Sequence, residues 1–250
     1  MFIICIKYYL MYIYHSMNKK ITLIIPIYNE EESIFSLIDE IMKEFRNDIA
    51  EVLIIDDGSS DNFKKKFKLT RVKNITVKCI HLEKNMGKCF AMMVGVRNSE
   101  NNLICVLDGD GQNPPKEAKK MIEFWCKRRC TKYTLLCGHR VNRQDNFKKK
   151  ISSKVANNIR RFLLDDDCFD TACALKVFNK QDYLELKYFR NMHRFLPALF
   201  KSFGGNIINI KVHDRKRKKG ISKFNFNNRF WVGIIDLIRF WYLINFNKEK

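Results

Sequence analysis

Short runs of consecutive apolar residues alternate along this chain with stretches in which apolar residues recur every three or four positions. The continuous runs, rich in β-branched residues, predict strands buried on both faces. In the first half of the chain they lie within residues 21–27, 51–61, 75–82 and 103–111, where 51–61 ends in a turn and 103–111 ends in two aspartates. The stretches between them predict helices with one apolar face.

The helical pattern is clearest in residues 30–46, where apolar positions are spaced from Ile34 to Phe45. This segment opens with acidic residues from Glu30 to Glu32, which suit the positive end of a helix dipole. Residues 86–98 predict a second helix. Residues 114–127 predict a third, because prolines are favoured at a helix start.

The second half of the chain continues the alternation. It predicts strands at 134–140 and 208–214, a strand or extended run at 173–180, a basic helix at 147–164, two helices within 180–203 and an apolar helix at 229–246. Strands that alternate with helices favour an α/β fold with a mostly parallel sheet flanked by helices. We expect a single domain at 17–224 and a membrane-proximal amphipathic helix within 225–250.

Charge narrows the choice of partners. Lys and Arg number 47 against 27 Asp and Glu, a net charge of +20. Most of the excess lies in two windows, 140–161 and 201–250. Clustered positive charge favours an anionic partner, which could be nucleic acid, a membrane surface or a phosphorylated substrate.

The nine cysteines contain no C-x-x-C pair, and their number is odd. Cys79, Cys89 and Cys105 lie within apolar runs. This usage indicates buried thiols in a reducing compartment, neither a disulfide framework nor a zinc site.

The first 16 residues are apolar and aromatic but lack the basic start and the cleavage site of a signal peptide. Lys7 and His15 interrupt them, so they are marginal as a membrane span. We interpret Met17 as the true start and residues 1–16 as a non-native leader, with a weak membrane anchor as the alternative.

Three predicted strands end in polar residues: Tyr28, Asn29 and Glu30 follow the first, Asp56 and Asp57 the second, and Asp108 to Gln112 the fourth. Ligands of open α/β sheets bind at the carboxyl ends of strands. A carboxylate there costs desolvation unless it has a partner. Asp108 and Asp110, separated by one glycine, can both direct oxygen to one hard cation. The chain has no G-x-G-x-x-G and no P-loop motif, which disfavours a dinucleotide or P-loop site.

These motifs resemble the family 2 glycosyltransferases of the GT-A fold, in particular the branch of dolichol-phosphate mannose synthases and polyprenyl-phosphate sugar transferases. The similar segments include PIYNEEESI, VLIIDDGSSD, NMGKCFAMMVG and VLDGDGQNPPKEA. Others are CGHR, KKKISSKVANN, DTACALKVF, HRFLPAL and RKKGISKF, so the resemblance extends over about residues 21–240.

The resemblance implies roles for individual residues. Pro26, Tyr28, Glu30, Asp56, Asp57 and Lys88 correspond to the nucleotide-binding site, with Asp57 favoured over Asp56 for the base or ribose. Asp108, Asp110 and Gln112 correspond to the site of a divalent metal, Mg²⁺ or Mn²⁺, and of the diphosphate. Arg140 and Ser153, with a basic residue of 148–150, correspond to the acceptor-phosphate site. Arg217 and Lys223 correspond to a basic segment that closes near the phosphates.

The chain departs from the family pattern at several positions. Gly111 replaces Leu, His139 replaces Ser, Ala172 and Ala174 replace glycines, and His213-Asp214 replaces a His-Arg-Pro register. The sugar therefore stays open between mannose, glucose and an amino sugar, and the nucleotide of the donor between GDP and UDP. The identity of the acceptor stays open as well.

The expected reaction moves a sugar from a nucleotide sugar to polyprenyl or dolichyl phosphate with inversion. Asp108, Asp110 and Arg140 are its catalytic candidates. A phosphomonoester is largely dianionic at neutral pH and needs no strong base. Transfer to a hydroxyl would need one, and Asp170 is a better candidate than Asp165 to Asp167.

Two alternatives remain. One is a family 2 transferase acting on another lipid or on a cell-envelope saccharide. The other is a nucleic-acid-binding protein, disfavoured because the basic runs lack interleaved aromatics. We expect no nucleic-acid partner and a cytoplasmic enzyme that associates peripherally with a membrane surface, since an apolar helix follows the basic run 215–219.

Overall fold

The computed structural model describes residues 21–46, 50–68, 70–72, 75–128, 130–141, 158–216, 236–238 and 240–242. Its strands are β1 (Ile21–Ile27), β2 (Ala50–Asp56), β3 (Thr70–Val72), β4 (Ile75–His81), β5 (Leu103–Val106), β6 (Thr134–Val141), β7 (Lys176–Asn179) and β8 (Asn206–His213). They form one sheet in the order β3-β4-β2-β1-β5-β7-β6-β8.

Helices connect most of these strands. They are α1 (Glu31–Glu44), α2 (Phe63–Lys66), α3 (Lys88–Asn98), α4 (Pro115–Lys127), α5 (158–164), α6 (Lys180–Leu184) and α7 (Leu196–Ser202). A 3₁₀ turn spans Met192–Arg194, and the described residues from 236 to 242 are helical.

The sheet is mixed but mostly parallel, as the alternation predicted. β4, β2, β1 and β5 are parallel neighbours, and β6 is parallel to β8. β7 runs antiparallel to both β5 and β6. The carboxyl ends of β1, β2, β4, β5, β6 and β8 therefore lie at one edge of the sheet, with the loop that enters β7 between those of β5 and β6.

The core has two layers, one on each face of the sheet. On one face, α1 and α4 bury apolar side chains such as Leu37 and Met121 against the strands. On the other face, α3 and α7 do the same with Met92 and Phe200, and Phe240 of the C-terminal helical segment joins this cluster. Both faces of the sheet are covered, which explains why its strands read as continuous apolar runs.

Several boundaries differ from those predicted. α3 begins at Lys88 instead of 86, because the residue before it, Gly87, has a non-helical backbone with a φ of +89°. The predicted strand at 103–111 ends at Val106, and the acidic motif forms the loop that follows. Of the predicted helix at 147–164, the described part begins at 158.

In the described part of the chain, every cysteine is a free thiol. The same part contains no helix with the length and apolarity needed to cross a membrane. The proposed leader at 1–16 and the start at Met17 lie outside the described residues.

Candidate active site

The loops after β1 and β2 are hydrogen-bonded to each other. Asn29, in the left-handed region with a φ of 51°, donates its backbone N–H to Ser59 Oγ at 2.8 Å. Its side-chain oxygen accepts from the backbone N–H of Ser60 at 2.7 Å. Asp61 Oδ2 likewise accepts from the N–H of Glu31 at the start of α1, at 3.0 Å. These contacts fix the position of Tyr28, whose side chain stays exposed at this edge.

Pro26 fits within the central strand β1 because of where β5 ends. The last paired residues of β1 and β5 are Ile24 and Val106, so Pro26 lies beyond that pairing. Ile24 accepts from the N–H of Leu107, and Ile27 accepts from that of Asp57 on the opposite side. The missing N–H of Pro26 therefore faces the side where β5 has ended, and no ladder bond is lost.

The neighbouring acids Asp56 and Asp57 have different partners. Asp56 Oδ2 lies 2.8 Å from His81 Nδ1 at the end of β4, and its Oδ1 accepts from Ser59 N–H at 3.0 Å. Asp57 accepts from the backbone N–H groups of Met86 and Gly87 at 2.7 and 2.8 Å. Burial raises the pKa of Asp57, and these two N–H donors oppose the rise. Both acids are nearly inaccessible, and each has both carboxylate oxygens engaged.

Asp57 thereby holds Met86 and Gly87, the two residues before α3, and so positions Lys88. The ammonium of Lys88 donates a hydrogen bond to Asp108 Oδ1, which joins two residues predicted to share the site. The next residue, Cys89, is bound on its other side by His193, whose backbone N–H donates to Cys89 Sγ at 3.1 Å. The first turn of α3 is thus anchored both to the β2 loop and to the turn before α7.

The acidic motif after β5 is held in place by its neighbours. Ser33 of α1 donates from Oγ to the carbonyl of Gly109 at 2.9 Å, and Gln112 N–H donates to Asp110 Oδ1 at 3.0 Å. Gly111 has a φ of +71°, a conformation that side chains rarely adopt. A residue with a side chain would be strained at this position in the loop.

The chemistry of this donor set fits a divalent metal. Asp108 and Asp110 are half-buried, and both residues lie in the loop that follows β5. Mg²⁺ is commonly held by one or two carboxylates together with water and substrate phosphates. Among the residues described, no group of three or more His, Cys, Asp and Glu side chains is arranged to hold a metal ion.

Arg140, near the end of β6, lies in a cluster with two acids. Its Nε and Nη2 donate to the two oxygens of Asp170 at 2.7 and 3.0 Å, and its Nη1 lies 3.5 Å from Asp214 Oδ2. Burial by itself would lower the pKa of the guanidinium. The hydrogen bonds to Asp170 and the charge of Asp170 outweigh it, and the pKa is raised. Asp170, weighed from the sequence as a base, is the main partner of Arg140.

The segment that follows β8 connects this cluster to the acidic motif, and sequence reasoning missed it. Asp214 Oδ1 accepts from Asn113 Nδ2 at 3.3 Å. Arg215 donates from Nε to the carbonyl of Gly111 at 2.6 Å and from its backbone N–H to that of Gln112 at 3.0 Å. Its Nη2 also donates to Glu40 of α1. The only sequence signal was the departure from the family register at His213-Asp214.

Some of the predicted site residues lie in the described part of the chain, and others lie outside it. Those from the β1, β2, α3 and β5 regions are joined by the contacts above, and Arg140 is joined to them through Asp214 and Asn113. Ser153, Arg217 and Lys223, predicted for the acceptor phosphate, lie outside the described residues, as do the basic residues 148–150.

Comparisons with known proteins agree with the resemblance seen in the sequence. The model of the family described as "Glycosyl transferase family 2" matches residues 22–186. Dodecaprenyl-phosphate galacturonate synthase of Rhizobium johnstonii is 29% identical over 233 residues, covering 91% of this chain and 68% of that protein.

Solved structures share the fold. Glucosyl-3-phosphoglycerate synthase from Mycobacterium tuberculosis, in complex with Mn²⁺, uridine diphosphate and phosphoglyceric acid, has a TM-score of 0.68 at 13% identity, over 90% of this chain and 78% of that one. The same enzyme with Mg²⁺ and uridine diphosphate gives 0.65 at 11% identity, over 90% and 83%. Mannosyl-3-phosphoglycerate synthase from Rubrobacter xylanophilus gives 0.61 at 9% identity, over 94% and 78%. The expected GT-A fold is confirmed.

Proposed function

We propose, from the premise that this chain belongs to glycosyl transferase family 2, that it moves a sugar from a nucleotide sugar to a polyprenyl phosphate. The observation that carries the acceptor class is the similarity, over 91% of the chain, to a dodecaprenyl-phosphate sugar synthase. The geometry supports it, because an acidic motif and a half-buried arginine lie at the same edge of the sheet.

The donor half of the proposed site comprises the loops after β1, β2 and β5 and the start of α3. Tyr28 and Glu30 border the nucleotide, and the anchored first turn of α3 brings Lys88 to the diphosphate. Asp56 and Asp57 shape this half through His81, Ser59 and the turn at 86–87. Their engagement favours a supporting role over direct contact with the base.

Asp108 and Asp110, with Gln112 beside them, would hold Mg²⁺ or Mn²⁺, which when bound offsets negative charge on the departing diphosphate. Lys88 adds a second positive charge beside Asp108. Fixed charges of this kind act strongly in a site that excludes water.

The acceptor half is centred on Arg140. A phosphate monoester has a second pKa of about 6, so it arrives largely as a dianion and attacks the sugar without a strong base. Asp170 supports this interpretation, because it accepts two hydrogen bonds from Arg140 and is suited to positioning the guanidinium. In-line attack inverts the anomeric centre, and the protein positions the reactants. Ser153, Arg217 and Lys223 belong to this half in the proposal.

The enzyme is proposed to work as a peripheral protein on the cytoplasmic face of a membrane, where such an acceptor presents its phosphate, and without a nucleic-acid partner. A family 2 transferase that uses another lipid or a saccharide is the competing assignment. The two differ in whether the acceptor carries its own negative charge.

A donor and acceptor screen tests the proposal. Purified protein is incubated with labelled UDP-galacturonate, UDP-glucose or GDP-mannose, and with polyprenyl phosphate or diacylglycerol in detergent. Label is expected in the organic phase with polyprenyl phosphate and one of the donors. Transfer to diacylglycerol alone, or none with any donor while the folded protein binds UDP, would overturn it.

A further inference from the structure

The loop that carries the acidic motif has a composition that gives it little rigidity of its own. Asp110 lies between Gly109 and Gly111, and Gly111 has a φ of +71°. Glycine gives up more conformational freedom on folding than any other residue. The position of the carboxylates in this loop therefore depends on contacts from other parts of the chain that fix its backbone.

Two such contacts come from one residue, Arg215, which lies 104 positions further along the chain than Gly111. Its Nε donates to the carbonyl of Gly111 at 2.6 Å, and its backbone N–H donates to that of Gln112 at 3.0 Å. A hydrogen bond from a charged donor is stronger than one between neutral groups. Arg215 therefore holds the two residues that directly follow Asp110.

The guanidinium itself is fixed by a further contact with helix α1. Its Nη2 donates to Glu40 Oε2 at 2.8 Å, and both side chains are half-buried. The same helix also holds the other side of the motif, because Ser33 Oγ donates to the carbonyl of Gly109 at 2.9 Å. The carbonyls before and after the second acid of the motif are thus both tied to α1, one of them directly and the other through Arg215.

We propose that Arg215 is a positioning residue for the divalent metal of the donor half. By fixing the backbone of Gly111 and Gln112, it keeps the carboxylate of Asp110 where it can hold the ion together with Asp108. This inference rests on the proposed function, which assigns Mg²⁺ or Mn²⁺ to these two acids. Arg215 acts through the loop and not on the metal itself, and its charge taken alone works against the binding of a cation.

These two effects of Arg215 have opposite signs, so a substitution can tell them apart. Loss of a positive charge near the acids would tighten the binding of a cation, whereas loss of the contact with the Gly111 carbonyl would weaken it. Arg215→Met removes the charge and the side-chain donors but keeps an apolar stem of similar length. Arg215→Lys keeps the charge but not the fork of donors that reaches Gly111 and Glu40 together.

Binding of Mn²⁺ to the full chain is measured by electron paramagnetic resonance, with UDP and separately with GDP, and does not depend on turnover. Arg215→Met is expected to weaken it by about tenfold, the size expected for loss of a hydrogen bond from a charged donor. Arg215→Lys should weaken it by a smaller factor. Lys216→Met removes the same charge from the exposed neighbouring residue and is the matched control, which should bind Mn²⁺ at least as tightly as the unmodified chain. Thermal unfolding checks that each variant is folded.

Sugar transfer separates positioning from a general loss of structure. The Mn²⁺ concentration that gives half-maximal transfer should rise in Arg215→Met by a factor similar to the loss of affinity. The rate at saturating Mn²⁺ should return close to that of the unmodified chain. A merely structural role would lower the rate at every Mn²⁺ concentration.

Unchanged or tighter Mn²⁺ binding by folded Arg215→Met would overturn the inference, as would the absence of Mn²⁺ binding by the unmodified chain with either nucleotide. If Arg215→Met does not fold, Arg215→Lys decides by the same criterion. If Mn²⁺ binding weakens as expected but no sugar reaches a prenyl phosphate, the proposed function fails while Arg215 still positions the metal-binding loop. If sugar is transferred and Mn²⁺ binding is unchanged, only this inference is wrong.

Discussion

Asp108 faces a positive charge supplied by the chain itself, because Lys88 donates a hydrogen bond to its Oδ1. A metal ion bound there would share this carboxylate with the ammonium. Asp110 has one oxygen engaged with the N–H of Gln112. The two acids therefore differ in their surroundings, although the motif gives them the same chemistry.

Asp108→Asn and Asp110→Asn are each expected to lower turnover by about 10²-fold or more, because each removes a carboxylate proposed to hold the metal, and such a ligand is worth several kcal/mol in the transition state. The measurement is initial rate at saturating donor and acceptor, with Asp39→Asn as the matched control. Chelator should silence the unmodified chain, and Mg²⁺ or Mn²⁺ should restore it. Full activity in chelator would contradict the metal assignment.

These motif residues could be selected from the sequence because each follows an apolar run. The end of such a run marks the end of a strand and therefore the edge of the sheet. The sequence could not predict that Asp214 meets Arg140, since the two are on different strands and their distance depends on how β6 and β8 pair. Nor could it predict the contacts of Arg215, because a basic run looks the same whether it is solvated or bound to backbone carbonyls.

The loop between α5 and β7 brings Asp170 to the site, and a buried ion pair fixes it. Arg160 of α5 donates from Nε to Asp166 Oδ2 at 2.6 Å and from Nη1 to Thr171 Oγ1 at 2.6 Å. Both charged residues are almost completely buried. The flanking acids Asp165 and Asp167 are exposed and share Lys201.

Asp166→Asn is expected to lower the free energy of unfolding by about 3–5 kcal/mol, because it leaves the Arg160 charge buried without its partner. Asp165→Asn and Asp167→Asn make the same chemical change in exposed pairs and should cost less than about 1 kcal/mol. Denaturant unfolding measures all three. Equal small losses would mean that the buried pair does not hold this loop.

The direction of β7 shows why the orientation of the strands was only partly predictable from the sequence. Its run, KVFN, is four residues long and almost entirely buried, so it reads as a strand without an orientation. That orientation follows from its pairing with β5 and β6. Strand β1 and helix α1 were predicted nearly to the residue, because their patterns run over seven or more positions. The predicted strand at 51–61 began within one residue of β2 but ran past its end at Asp56 into the following turn.

The C-terminal helical segment has two apolar faces in its described residues. Leu237 and Phe240 are buried, and the ring of Phe240 lies 4.6 Å from that of Phe195. Ile238, Trp241 and Tyr242 are exposed. Aromatic side chains of this kind favour the headgroup region of a bilayer. One face thus packs on the domain, and the other carries the side chains that the proposed contact with a membrane would use.

In liposome flotation at low salt, the full chain is expected to float with vesicles containing anionic lipid, since basic residues near such a surface contribute about 1 kcal/mol each. Replacing Ile238, Trp241 and Tyr242 together by serine should reduce flotation while leaving the buried face intact. Truncation after Phe226 should reduce it further. Leu184→Ser is the control for loss of exposed apolar area.

Flotation of the triple variant equal to that of the unmodified chain would contradict membrane docking through this helix. So would the absence of flotation at low salt. High salt should weaken the interaction in every case, because the charges of the chain and of the lipid are then screened.

The place of β6 in the sheet has a consequence for synthesis on the ribosome. Its neighbours are β7 and β8, and both follow it in the chain. Val141 ends β6 and Lys176 begins β7, so at about 5–20 residues per second the first partner emerges roughly 2–7 s later. During that interval β6 offers two unpaired backbone edges and apolar residues such as Leu135 and Leu136. Unpaired strand edges invite association with other chains. A chaperone that binds the nascent protein between translation of β6 and of β7 would therefore protect the strand bearing Arg140.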